Sequence, residues 1–575
     1  MSPSPKRWTI LPPAPAQHLE RFPALPPLVV QLLYNRHVRT PEEVTAFLER
    51  QYAPDNPYLL KGMNAAVARL RRAIRDHEAI AVYGDYDVDG VTATALLVLA
   101  LRGLGARAEP YIPKRKHEGY GLHESALEEL ARQGVKVVVT VDCGVRSVDE
   151  ARFACGQGID LIITDHHNVP SDLPPAVAVI DPKREDEDYP FAHLTGVGVA
   201  YKLAQGLLRA ERQAPLSKAQ ATVEEHDFLD LVALGTIADL APLVGENRAL
   251  VSRGLKTLNE ARRPGIAAML QESALRPGQV DARAVGYVLG PRLNAAGRLD
   301  DAIASYDLLT TTSAEQAAVL ARQLSVTNQE RQRLMKDMVA HARQEVAAVG
   351  DAKAFVLASP VYAAGIAGLV ASRISEEFYR PTIVIAIDGD KGLSKGSARS
   401  VEGFDVALAL EECKELLVRQ GGHKAAAGFT ISNDKIDAFR KRMLSMVEER
   451  LTDEQLWPTL LIDMELPLSE ANTETLRFIE ALQPFGMENQ RPTFASLGVS
   501  VCSCRAVGSD NRTLKFKLSN GTQMCDAVAF RQDRRAEQVP QRVDIAYALQ
   551  ANEWNGRVST ELVVQDWRSA EAWPG

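Results

Sequence analysis

Asp85-Tyr86-Asp87-Val88-Asp89-Gly90 follows the apolar run Ala79–Tyr83, Asp142-Cys143-Gly144 follows Val135–Val141, and Asp165-His166-His167 follows Leu161–Thr164. Each stretch is an apolar run that ends in carboxylates or imidazoles. Carboxylates gathered in one pocket repel one another unless cations neutralise them. Oxygen and imidazole donors without a thiolate suit manganese or magnesium better than structural zinc. A further acid, Asp239, stands in the otherwise apolar stretch Leu234–Pro242. Buried without a partner it is expensive, and a metal supplies the partner. Clusters of this kind hold two metals that share a bridging carboxylate, activate water and clamp an attacked phosphate. A single Asp at a strand end is more often a helix cap or turn former, and Asp165 fits that role. The Asp-x-Asp-x-Asp run also resembles a calcium loop, but the rest of that twelve-residue pattern is missing. Three acid-bearing ends beside a His pair exceed what turns explain.

The apolar runs are continuous rather than alternating, the pattern of strands buried on both faces. Helical stretches (Ala65–His77, Gly90–Leu104) separate them, so a parallel sheet with helices on both sides is predicted, and ligands of such sheets bind outside the carboxyl ends of the strands. The chain before this core is Pro-punctuated, with a short helix at Pro41–Gln51 that Thr40 caps. A polar, Gln- and Arg-rich stretch from Leu308 to Ala348 reads as a helix bridging two domains. A second α/β pattern has strands at Ala354–Leu357 and Thr382–Ile387. Short strands at Thr513–Leu518, Cys525–Phe530, Val543–Gln550 and Thr560–Val564 read as a small barrel. The expected division is an arm over 1–60, a catalytic domain over 61–305, a bridging helix over 306–348, a second α/β domain over 349–452 and a barrel over 453–575.

The first three acidic motifs, with Thr236-Ile237-Ala238-Asp239-Leu240 as a fourth, resemble those of the DHH phosphoesterases. Gly421-Gly422-His423 with Ala426-Ala427-Gly428 resembles the DHH-associated domain, and the terminal barrel resembles an OB fold. Within the superfamily the chain is similar to the bacterial single-strand-specific 5′→3′ DNA exonucleases, almost end to end. Leu33–Arg36, Gly119–Leu122, Arg292–Arg298, Gly368–Arg373 and Asn552–Gly556 join the likeness. The resemblance implies two Mn2+ or Mg2+ ions on Asp85, Asp87, Asp89, Asp142, His166 and Asp239, with Asp142 bridging. It places His167 near the scissile phosphate as a ligand neighbour or proton donor. It further implies a 5′-phosphate pocket of Arg115, Ser372 and Arg373, with Arg292 or Arg298 nearby, and counts Arg292, Asn294 and Arg298 among the nucleic-acid contacts. Guanidinium forks suit a phosphate monoester better than an ammonium does. Gly422, His423 and Arg399 would lie along the substrate strand. Lys515 and Lys517, sharing one strand face on either side of Phe516, would serve sequence-tolerant binding together with Trp554, expected in a loop. Gly421–His423 is expected to follow a helix that ends near Gln420.

The chain departs from the family pattern in three places. Ser359–Ile366 lacks a Trp-His pair, Gly486–Gln490 has Glu488 and Gln490 where Gly and Pro are usual, and His37 replaces a Gly. Gly196-Val197-Gly198 lacks the third Gly of a dinucleotide fingerprint, and no phosphate loop of the ATPase type occurs, so no ATP use is expected.

The chain has 575 residues, with 66 basic against 74 acidic ones, a net charge of -8. That balance argues against a protein that coats nucleic acid by bulk charge, but not against a local basic groove. Six cysteines are too few for a disulfide framework, and no apolar run is long enough for a membrane span. A cytoplasmic protein is expected, and the resemblance implies a monomer acting on single-stranded DNA with a 5′ end in recombination and repair. By resemblance, a RecQ-type helicase and a single-strand-binding protein are its collaborators. Two alternatives stand beside this: a phosphoesterase of oligoribonucleotides, cyclic dinucleotides or adenosine bisphosphate, and an inactive binding subunit built on the OB barrel.

Overall fold

The computed structural model describes residues 6–53, 55–114, 119–216, 221–299, 301–508, 511–530, 536–554 and 557–570, without the side chains of 553, 554, 557 and 558. The chain forms two compact units. One comprises 38–329 with 482–490, the other 1–37, 330–481 and 491–575. The expected arm therefore divides between the two.

The first unit is built on a five-stranded, wholly parallel sheet. Its order is Arg107–Tyr111, Ala79–Tyr83, Val135–Val141, Asp160–Thr164, Ala178–Ile180. In chain order that is 2-1-3-4-5, so the direction of winding reverses between Ala79–Tyr83 and Val135–Val141. Open sheets of this kind place their ligand crevice at that reversal. Both faces are covered, which explains the continuous apolar runs. Ile80, Val82, Val137, Val139 and Ile162 pack into one core with the helices Met63–Arg75, Val88–Gly103, Gly196–Gln213 and Leu229–Ala238. Ala81, Tyr83, Val138, Leu161 and Ile163 face the helices Glu124–Arg132 and Val148–Gly156. Each such buried aliphatic side chain contributes about 1.5–3 kcal/mol, which offsets the cost of the acids at the strand ends. Thr40 caps the helix Pro41–Glu49 as predicted, with Glu43 completing a capping box.

The predicted bridging helix is Ala314–Val349, and its residues divide between the units after Gln329. It begins later than expected, because extended Thr311 ends a separate helix, Ile303–Thr310.

In the second unit, a mixed sheet has the order Leu417–His423, Ala426–Ser432, Leu393–Arg399, Thr382–Ala386, Phe355–Ser359. This corrects one expectation: Gly421–His423 does not follow a helix but lies on the edge strand Leu417–His423. A hairpin with Ala426–Ser432 supplies the backbone bonds that a helix over this stretch would have made internally. The C-terminal strands Phe494–Val507, Thr513–Ser519, Met524–Ala529, Arg557–Ser569 and Arg542–Trp554 pair in that order, and the last pairs back to the first. The result is a closed five-stranded barrel. The long strand Phe494–Val507 was not foreseen. Arg7–Ile10 adds a parallel strand to Thr459–Ile462 in the same unit.

Candidate metal centre and nucleic-acid contacts

The reversal point of the parallel sheet carries the acids. Asp85 and Asp87 leave the strand Ala79–Tyr83, and Asp142 leaves Val135–Val141. Asp87 caps the helix Val88–Gly103 by accepting the Gly90 N–H at 3.0 Å. Asp89 sits in the first turn of that helix, 1% exposed. It points at the start of another helix, where the N–H groups of Gly196 and Val197 donate to its two oxygens at 2.6 and 2.9 Å. A helix N-terminus favours a negative charge. The Gly196-Val197-Gly198 stretch, which fails as a nucleotide motif, is therefore the cradle of an acid. A Cβ on Gly196 would lie 2.5 Å from the Asp142 Cβ, so only glycine lets that helix start there.

Asp142 has φ 63, a left-handed conformation rare outside glycine. Holding it costs about 1–3 kcal/mol, and such strain gathers at functional sites. Asp142 Oδ1 lies 3.0 Å from His166 Nε2, and Asp89 Oδ2 lies 3.7 Å from the same nitrogen. Asp239, at the end of the helix Leu229–Ala238, completes the group. Three overlapping sets, Asp85/Asp87/Asp142, Asp89/His166/Asp239 and Asp142/His166/His167, each have donor atoms within 4.8 Å of one another.

The electrostatics fit a cation. Burial, followed by the charges of Asp239 and Asp87, pushes the Asp89 carboxyl well above its usual range. Burial and the charges of Asp89, Asp87, Asp85 and Asp239 do the same to Asp142. Asp239 is exposed as a residue, but its carboxyl faces this cluster, and burial plus Asp87 raise it to about 7. Buried acids that strain toward protonation are what a divalent ion compensates. An oxygen-rich donor set with imidazole and no thiolate suits Mn2+ or Mg2+.

The Asp-His-His stretch sorts into three tasks. Asp165 belongs to no donor set. It accepts from the N–H groups of Val145, His166 and His167 at 2.9, 2.8 and 3.2 Å, and from His167 Nδ1 at 2.7 Å. Burial opposes its charge, but the hydrogen bond and charge of His167 hold its carboxyl below the usual range. A carboxylate only accepts, so His167 Nδ1 carries the hydrogen and Nε2 is the nitrogen left for substrate. Burial alone would lower the His167 pKa, and Asp165 outweighs it and raises it. Tyr120, whose motif was noticed without a role, donates to the Asp142 carbonyl at 3.2 Å and packs edge-on against His167. Gly119 and Gly121 flank it at φ 90 and 96.

Arg292, Asn294 and Arg298 lie half-buried on the helix Gly290–Leu299. Gly297 brings that helix onto the acid-bearing loop, since a Cβ there would collide with the Tyr86 carbonyl. Arg292 is partly committed, to the Val288 carbonyl at 2.8 Å and Ser325 at 3.3 Å. Arg115 lies outside the described residues.

In the second unit, Arg399 Nε donates to Ser372 Oγ at 3.0 Å, which brings those two residues together. Arg373, beside Ser372, is half-buried. Ala426 pairs across the sheet with both Arg399 and His423, so the three share one row and one face. Gly422 belongs to the next row, with Ala427. Lys515 and Lys517 are exposed on one face of the barrel strand Thr513–Ser519, with Phe516 turned into the barrel at 4% exposure. Trp554 ends a strand rather than standing in a loop, and its side chain lies outside the described residues.

Residues 79–236 match the DHH family, N-terminal domain, 351–449 the DHHA1 domain and 462–566 the RecJ OB domain. The single-stranded-DNA-specific exonuclease RecJ of Dickeya dadantii is 36% identical over 96% of this chain and 97% of its own length. The chain belongs to the RecJ family. The crystal structure of RecJ in complex with Mn2+ from Thermus thermophilus superposes with a TM-score of 0.84 at 31% identity, covering 99% of this chain and 80% of that one. The Mg2+ complex of RecJ from the same organism gives 0.79 at 30% identity, covering 99% and 79%. The family resemblance and the predicted architecture of DHH domain, bridging helix, DHH-associated domain and OB barrel both stand. Among the described residues, no helix is long and apolar enough to cross a membrane.

Proposed function

We propose that this chain is a metal-dependent exonuclease specific for single-stranded DNA, working from the 5′ end and releasing nucleoside 5′-monophosphates. The observation that carries the reading is the overlap of three donor sets at the reversal point of the sheet, in a RecJ-family chain that also carries the OB barrel. Asp85, Asp87, Asp89, Asp142, His166 and Asp239 would hold two divalent ions, Mn2+ or Mg2+, which would supply water activation and charge neutralisation at the phosphate. Asp142, which belongs to two of the three donor sets, would be the carboxylate shared between the ions. Asp165 fixes the His167 ring and favours its doubly protonated form, and that imidazolium delivers a proton from Nε2 to the oxygen that leaves. Arg115, Ser372 and Arg373 hold the 5′-terminal phosphate, which sets the length cut and makes the action exonucleolytic. Arg292, Asn294, Arg298, Arg399, Gly422 and His423 guide the strand, and Lys515 and Lys517 hold it further along. Because these contacts are to phosphates, binding weakens with salt. A RecQ-type helicase and a single-strand-binding protein in the cytoplasm supply and present the strand.

A 5′-labelled single strand incubated with Mn2+ should be degraded from its labelled end, while intact duplex persists. Asp142→Ala should lower the rate by on the order of 10³-fold. Undiminished cleavage by that variant refutes the assignment, and a preference for dinucleotides over long strands favours the small-substrate phosphoesterase.

A further inference from the structure

Residues 482–490 follow the helix Thr473–Ala481 and precede the strand Phe494–Val507, both in the second unit, yet they pack with the unit that holds the acids. This is the Gly486–Gln490 stretch that departs from the family pattern. The segment is closed on itself. Asn489, fully buried, donates from Nδ2 to the carbonyls of Leu482 at 3.0 Å and Pro484 at 2.7 Å. Gly486 and Asn489 exchange backbone hydrogen bonds at 3.0 and 3.2 Å.

Arg248 holds the segment from below. It is 2% exposed, and a guanidinium buried this deeply is costly unless its hydrogens are used. Nη1 donates to the carbonyls of Leu482 at 2.9 Å and Pro484 at 3.4 Å. Nε donates to the Phe47 carbonyl at 3.3 Å, and the guanidinium lies 3.8 Å above the Phe47 ring.

The other side of the segment grips the loop that follows Asp239. Leu243 N–H donates to the Met487 carbonyl at 2.8 Å. Asn247, also buried, donates to the carbonyls of Pro242 at 3.2 Å and His193 at 2.6 Å. Gly486 lets the segment come this close, since a Cβ there would lie 2.6 Å from Leu243 Cδ1 and 2.9 Å from its Cγ. The loop needs such a grip. Asp239 stands at a helix C-terminus, where the helix dipole disfavours its charge. Leu240, next to it, is left-handed at φ 58 and 68% exposed. Nearer ties are the N–H groups of Asp239, Leu240 and Ala241 to the Gly235, Ile237 and Thr236 carbonyls at 2.9, 3.2 and 3.3 Å, all within the last turn of the helix and none of them beyond Ala241.

We infer that residues 482–490 form a positioning strap that fixes Asp239 for the metal, so that ion affinity in the first unit depends on a segment supplied by the C-terminal part of the chain. The inference rests on the proposed metal-dependent reaction. Arg248, Asn489 and Gly486 are its positioning residues, acting through the Asp239 loop rather than on substrate. Groups that orient a ligand from outside the metal shell typically change metal affinity or activity about 10–100-fold.

The test is calorimetric titration of the full chain with Mn2+, alongside kcat and KM on a single-stranded oligonucleotide. Gly486→Val should weaken Mn2+ binding at least about tenfold and lower kcat in parallel. KM should stay within about twofold, because no contact to the strand is lost. Asn489→Ala, which loosens the turn without adding volume, should shift affinity the same way, and it decides the matter if Gly486→Val does not fold. Wild-type Mn2+ affinity in a folded Asn489→Ala chain overturns the strap, as does a rise in KM with unchanged affinity. A wild-type chain that takes up no Mn2+ instead overturns the reading of the acid cluster itself.

Discussion

The two units handle charge in opposite ways. In the first, Asp85, Asp89, Asp142 and His166 are 1–9% exposed; backbone N–H groups hold Asp89, and Asp142 and His166 hold each other. In the second, Lys515 and Lys517 stand in solvent, and the Lys517–Asp526 pair spans 3.6 Å with both side chains more than half exposed. A charge pair in a buried site interacts several-fold more strongly than one in water and is little screened by salt. Exposed pairs contribute about 0–1 kcal/mol. The buried cluster is thus an all-or-none device whose members depend on one another. The basic surface is graded, each lysine adding a small, salt-sensitive share. On the proposed function, substrate chemistry belongs to the first arrangement and tolerance of sequence to the second.

The sharpest way to break this contrast is Asp165→Asn. The substitution keeps the shape and removes the charge that holds His167 Nδ1. If Asp165 positions rather than ligates, kcat should fall by about 10–100-fold with KM nearly unchanged. Mn2+ affinity, measured by titration, should stay near wild type. An affinity loss as large as that of Asp142→Ala would place Asp165 among the metal ligands and end the division of tasks within the Asp-His-His stretch.

A smaller effect tests the graded surface. Lys515→Ala should raise KM a few-fold, leave kcat unchanged, and reduce the slope of log affinity against log salt by about 1. Lys517→Ala should do less, because Asp526 already draws on that charge. If either substitution lowers kcat instead, the barrel takes part in the chemistry and the two units are not as distinct as their burial implies.

The metal cluster was legible because its logic is local: an apolar run buried on both faces must end, and what stands at its end faces the crevice. The strands Ala79–Tyr83 and Val135–Val141 fall where their sequence puts them. The cradle of Asp89 was not legible, because Gly196 and Val197 are 107 and 108 residues away and offer only backbone N–H groups, which no residue type announces. Asp142 in a left-handed conformation hides for the same reason, since the letter Asp carries no φ. The edge strand Leu417–His423 was misread as the end of a helix because a hairpin partner decides it, and Leu417-Val418 reads apolar in either state. Tyr120 could have been found: an aromatic between two glycines beside a basic run is a turn that aims a ring. The strap could have been suspected from the stretch Leu482–Asn489 lying between two recognisable elements, but not that it belongs to the unit that holds the acids.

The smallest expected effect compares the same change in both units. By the resemblance, His37 and Glu488 stand where glycine is usual, and both sit in left-handed backbone, at φ 59 and 56. Such a conformation costs a side-chain-bearing residue about 1–2 kcal/mol. Restoring glycine also frees the unfolded chain, which returns about 0.4–1 kcal/mol. His37→Gly and Glu488→Gly should each therefore stabilise their own unit by about 0.5–1 kcal/mol, read from separate denaturant midpoints. His37 lies in the second unit, away from the acids in sequence, and its replacement should leave Mn2+ binding unchanged. Glu488 lies in the strap. Relief of strain there should tighten Mn2+ binding as well, so equal stabilities with unequal ion affinities is the outcome that separates a packing segment from a positioning one.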